Sequence, residues 1–127
     1  MEWALLTPIL LLVIGAVIQF ALVMNARHVA LAAAQSAARQ ARTQPRGAAW
    51  QGPASQKVDE VIHAIGSHVF QSKPTVQFPG SDADNRYVEV QAQAVAILPG
   101  LNFTVVQRAG GPIECFRPDQ GQGINCQ

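Results

Sequence analysis

From Trp3 to Met24 the chain reads WALLTPILLLVIGAVIQFALVM, a run with no ionisable side chain whose polar interruptions are Thr7 and Gln19. At about 1.5 Å per helical residue this run reaches roughly 33 Å, enough for the roughly 30 Å hydrocarbon core of a bilayer. A secretory signal would need a basic leading region, a shorter apolar stretch and a small-residue cleavage site. Here the acid Glu2 precedes the run instead. A buried core helix is the alternative, but a small domain lacks the material to surround one on all sides. The pattern predicts a membrane-spanning helix over residues 3–24.

Beyond Met24 the helical signal continues. Residues 25–42, NARHVALAAAQSAARQAR, contain neither Gly nor Pro and are dominated by Ala, the strongest helix former. One unbroken helix is expected over residues 1–43, on the order of 60 Å long. Ala26, Ala30, Ala33, Ala37 and Ala41 fall on one face of it. Small side chains let helices approach closely, so this stripe reads either as a packing seam or as a source of helix propensity alone. Pro8 lacks an amide hydrogen and should disturb the hydrogen-bond ladder near the N-terminus, and Gly15 weakens the helix further on.

Thr43-Gln44-Pro45-Arg46-Gly47 stops the helix, and a linker is expected over 44–54. From Ser55 to Phe70, apolar Val58, Val61, Ile62, Ile65 and Val69 interleave with polar Lys57, Asp59, Glu60 and His63, the period of an amphipathic helix. Thr75 to Phe78 is a short strand candidate. Arg86 to Ile97 alternates Tyr87, Glu89, Gln91 and Gln93 with Val88, Val90, Ala92 and Ala94, as does a strand covered on one side. Leu98-Pro99-Gly100 turns the chain and Phe103 to Ala109 returns as a second strand. Gly110-Gly111-Pro112 should interrupt it before Ile113 to Phe116 resumes pairing. The fold class is α+β: a long N-terminal helix, then a head over 55–127 with one amphipathic helix and a three- to four-stranded antiparallel sheet.

Composition sharpens this division. Only 13% of the 127 residues are charged, against about 25% in an ordinary soluble domain. The arginines Arg27, Arg39, Arg42 and Arg46 are concentrated just after the apolar run, and 9 Lys+Arg in all make no dense basic face, which excludes a nucleic-acid binder. Cys115 and Cys126 lack the spacing of a CxxC motif. A disulfide between them would close a loop of about twelve residues and contribute about 3 kcal/mol, and would place 47–127 outside the cytoplasm; two free buried thiols are the other reading. The four arginines oppose that topology, since basic residues mark the cytoplasmic side of a span. A basic leader ahead of Met1 during insertion would reconcile the two.

Catalytic chemistry is not apparent. His63 and His68 are five apart, so a helix turns them to different faces, unlike an i, i+4 zinc pair. His28 reads as an interfacial side chain. Ser81-Asp82-Ala83-Asp84-Asn85 offers alternating oxygens but lacks the glycine and distal glutamate of a calcium loop, and reads as a solvated loop. No enzyme activity, metal or cofactor is expected.

Glu2-Trp3-Ala4-Leu5-Leu6-Thr7-Pro8 with its apolar run, Ala26-Arg27-His28-Val29-Ala30, and Ala33-Ala34-Gln35-Ser36-Ala37-Ala38-Arg39 resemble the opening of TadE-like proteins of the actinobacterial type. These are type IV pilin-like subunits of tight adherence (Tad/Flp) pili. Val88-Glu89-Val90, Leu98-Pro99-Gly100-Leu101, Phe103-Thr104-Val105 and Gly111-Pro112-Ile113-Glu114-Cys115-Phe116 are similar to the family's hairpin and closing segment, while 47–84 show no match.

The resemblance implies a subunit made with a basic leader, cut by a prepilin peptidase, and moved from the membrane into a filament by an assembly platform with its ATPase. Its partners would be copies of itself or other pilin-like subunits. Glu2 matches the family's glutamate, which pairs with the terminal ammonium of a neighbour. That glutamate is normally the fifth mature residue, so either a few residues and the leader precede Met1, or Met1 is the start and the expected peptidase processing does not apply. Glu2, Pro8, Ala26, Ala30, Ala33, Ala37 and Ala41 are the candidate assembly residues, and Cys115 and Cys126 the candidate disulfide. The competing reading is a single-pass membrane protein with an extracytoplasmic binding module that never polymerises.

Overall fold

A computed structural model describes residues 2–114 of the chain, without the side chains of Glu2 and Leu5. Helix α1 (Glu2–Thr43) is continuous, as the helical signal running past Met24 predicts, and the disturbance expected at Pro8 does not end it. Helix α2 (Gln51–Ile65) starts four residues before the expected Ser55. Pro53 falls in its first turn, where a missing amide hydrogen leaves no intrahelical bond unmade. It also ends earlier than Phe70: the backbone N–H of Gly66 bonds the Ile62 carbonyl at 2.9 Å, and a separate 3₁₀ turn occupies Ser67–Val69.

Three strands, β1 (Thr75–Gln77), β2 (Asn85–Ala94) and β3 (Phe103–Pro112), form an antiparallel sheet in the order β1-β2-β3. The alternation read over 86–97 holds in β2, which buries Arg86, Val88, Val90, Ala92 and Ala94 and turns Glu89, Gln91 and Gln93 outward. The expected interruption at Gly110 does not occur. Gly110 pairs with Tyr87 and Gly111 with Arg86, so β3 continues to Pro112. The glycine is what permits this, because a Cβ at 110 would lie 2.2 Å from the Arg86 carbonyl oxygen. Past Pro112, Ile113 and Glu114 donate backbone bonds to Asp84 and Arg42.

The core is built on the second half of α1. Ala26, Val29, Ala30, Ala33, Ala34, Ala37, Ala38 and Ala41 make a stripe two side chains wide, packed with Ala54, Val58 and Ile62 of α2 and with Val88, Val90, Ala92 and Val105 of the sheet. Alanine stems keep these elements close to the helix. Gly66 tightens the seam further, since a Cβ there would lie 2.9 Å from a Val29 methyl group. The head therefore consists of the second half of α1 together with α2 and the sheet.

Candidate membrane and assembly surface

Among the described residues the first half of α1 has little such cover. Between Trp3 and Phe20 the large apolar side chains with described positions are exposed, from 45% at Ile18 to 83% at Trp3. Among the described residues this is the one helix long and apolar enough to cross a membrane by length and composition. Exposure of this extent in water would be strongly unfavourable at about 25 cal/mol per Å² of apolar surface, and an apolar surface of this size marks a place of contact with a membrane or with protein. Thr7 does not interrupt the apolar surface, because its hydroxyl donates to the Trp3 carbonyl at 2.9 Å within the helix. That bond removes an unsatisfied donor from the run.

Gln19 behaves differently. It is only 3% exposed, and its amide is engaged by the loop joining β2 and β3. Nε2 donates to the Val95 carbonyl at 3.1 Å, and Oε1 accepts from the Ile97 N–H at 2.7 Å. Both are backbone groups just past the end of β2, where no strand partner remains for them. Leu98 reaches one turn further along α1, with a methyl group 3.5 Å from where a Cβ of Gly15 would stand. The loop tip thus lies against the apolar half of the helix. Sequence reasoning missed this contact; the lone amide in an otherwise apolar run was its signal.

At the opposite end Arg86 closes the head. Its side chain is 2% exposed and its guanidinium donates to the carbonyls of Gln44 and Pro45, each at 2.9 Å, and of Ala41. These are carbonyls of the α1 C-terminus and the turn after it, where the helix dipole presents negative charge. The guanidinium also lies 5.4 Å from the Trp50 ring, which packs edge-on against Phe78 at 5.0 Å. Burial lowers the Arg86 pKa, from an ordinary value so high that the charge persists. Nε has no hydrogen-bond partner among the described residues. Alternation alone had placed Arg86 at the edge of a strand with no partner assigned.

The other expected sites resolve as follows. Ala26, Ala30, Ala33, Ala37 and Ala41 are at most 1% exposed and face α2 and the sheet of their own chain. The stripe thus packs against α2 and the sheet of its own chain. Pro8 is exposed within α1. Glu2 is the first described residue of α1, and Cys115 and Cys126 lie outside the described residues. His63 and His68 are exposed. In the 81–85 loop Asp82 Oδ1 accepts from the backbone N–H of Asp84 at 2.8 Å and of Asn85 at 2.6 Å, and Asp84 pairs with Arg46. Those bonds, led by the one from the Asn85 backbone, hold the Asp82 carboxyl below the usual carboxylate range. The carboxylates of this loop are thus committed to shaping it.

The decisive comparison concerns the exposed helix. Residues 1–39 match the TadE-like protein family. The match covers the exposed apolar half of α1 and most of the alanine stripe, and stops short of α2 and the sheet. No curated protein and no solved structure matches the chain.

Proposed function

We propose that this chain is a pilin-like structural subunit of a Tad/Flp-type pilus, which either polymerises through α1 into the filament or primes its assembly. The observation that carries the reading is that the TadE-like match falls on a helix whose first half is apolar and, among the described residues, largely exposed. A bilayer covers that surface before assembly, and the helices of other pilin-like subunits cover it afterwards. The head then faces the cell exterior, and the chain moves from the cytoplasmic membrane to a surface filament. A prepilin peptidase and a membrane assembly platform with its ATPase are the partners this reading implies. No catalytic step is assigned to the chain.

Glu2 is the candidate assembly residue at the start of α1. A carboxylate at the edge of a span stays hydrated while the subunit waits in the bilayer, and becomes costly once helices gather and exclude water, unless it is paired. Glu2→Gln keeps shape and some hydrogen bonding while deleting the charge. The variant is expected at normal levels in the membrane fraction, with its amount in sheared surface filaments reduced about tenfold or more. Wild-type amounts of the variant in filaments would refute the role. If the wild-type protein itself is confined to membranes, the single-pass anchor with a binding head is the correct reading. Cys115 and Cys126 are proposed to form a disulfide in the extracytoplasmic head; alkylation without reduction should label neither.

A further inference from the structure

The loop between β2 and β3 has a composition that its position on a small domain does not require. From Val90 to Gln107 the chain has no ionisable residue. Its tip, Val95 to Leu101, exposes Ile97 at 54% and Leu101 at 44% of their surfaces. These side chains are continuous with the exposed apolar surface of α1, because the tip is fastened to the helix at Gln19 and touches it near Gly15.

Position along the helix gives the depth of the tip. An apolar run that ends at Met24 puts the head-side boundary of the hydrocarbon close to that residue, with exposed Arg27 just beyond it at headgroup level. Gln19 lies five residues inside, about 8 Å below the boundary. Interfacial segments bury their apolar side chains to about 5–10 Å. Non-helical backbone at that depth is tolerated only where its polar groups find partners within protein. Gln19 supplies two such partners, to the Val95 carbonyl and the Ile97 N–H.

We infer that the β2–β3 loop is a second membrane contact of the subunit, in which Ile97, Leu98 and Leu101 enter the acyl region of the head-side leaflet beside α1 while Gln19 satisfies the loop's backbone. The inference rests on the reading of α1 as a membrane span. The head is consequently held against the bilayer at two points and cannot rotate freely about a single helix. The occupant of this apolar surface is lipid.

Tryptophan quenching by brominated lipid tests the inference and separates it from the reading of α1. The full-length protein is reconstituted in vesicles of phosphatidylcholine and phosphatidylglycerol, with and without lipids brominated near the top of the acyl chain. Trp50 packs beside Arg86 at the far end of the head and serves as the unquenched internal reference. Greater quenching of the wild type than of Trp3→Phe reports the inserted span. Ile97→Trp and Leu101→Trp, each in the Trp3→Phe background, report the loop; using two positions guards against one variant disturbing the fold. The expected result is about twofold quenching of each introduced tryptophan, and its loss when Gln19→Leu is added. Quenching of Trp3 with none at residues 97 or 101 overturns the inference and leaves the span standing, as would be found if a neighbouring subunit covered the loop. Absence of quenching at all three positions overturns both.

Discussion

At the scale of single residues, two polar side chains do what the apolar ones cannot. Arg86 ties together the end of α1, the turn after it and the start of β2 through three carbonyl bonds. A lysine retains the charge but offers one ammonium in place of a planar fork, so Arg86→Lys leaves buried carbonyls without donors. It should destabilise the head by about 2 kcal/mol, read as a shift of the denaturant midpoint for head unfolding in detergent. Asp82 is the pH-sensitive counterpart. Its folded pKa lies below its unfolded one, so its contribution is fully present above the ordinary carboxylate range and is lost as pH falls below about 4. Asp82→Asn should therefore flatten the acid limb of the stability profile relative to wild type, measured by denaturation at a series of pH values. An unchanged acid limb would assign that limb to other carboxylates.

Among the elements, α1 combines two helices of different purpose in one uninterrupted rod. The half that follows Asn25 is a core helix, and its alanine stripe seats the head. Ala30→Leu is therefore expected to destabilise the head by about 1–3 kcal/mol through overpacking, and Gly66→Ala to act in the same direction at the seam between α1 and α2. Thermal melts of the detergent-solubilised protein check both. A head that melts normally with Leu at 30 would show that the stripe is open to other partners. The length of α1, the alternation in β2 and the return of β3 were legible because each is local: an unbroken propensity, a period of two, a turn with glycine. The true extent of β3 was not, because a glycine's close approach to a neighbouring strand looks from the sequence like a break. What the alanine stripe faces was equally hidden, since small residues mark closeness without naming the partner. Gln19 was illegible for a plainer reason: the backbone it bonds lies 76 residues away.

For the whole molecule, these pieces describe a chain whose core and whose exposed apolar surface sit on opposite halves of the same helix. The described head packs within its own chain, whereas the apolar segment that matches the TadE-like family is exposed among the described residues; on the proposed function it is covered by lipid or by other helices. The account turns on what covers that segment at the cell surface. Site-specific photo-cross-linking answers it directly, with a benzophenone side chain placed at exposed Leu11 or Val17, and at buried Val58 as the control, in cells assembling filaments. The account predicts protein adducts, to copies of the chain or to other pilin-like subunits, from residues 11 and 17 in sheared filaments, and none from residue 58. Adducts to lipid alone from residues 11 and 17, with the protein confined to membranes, would contradict it.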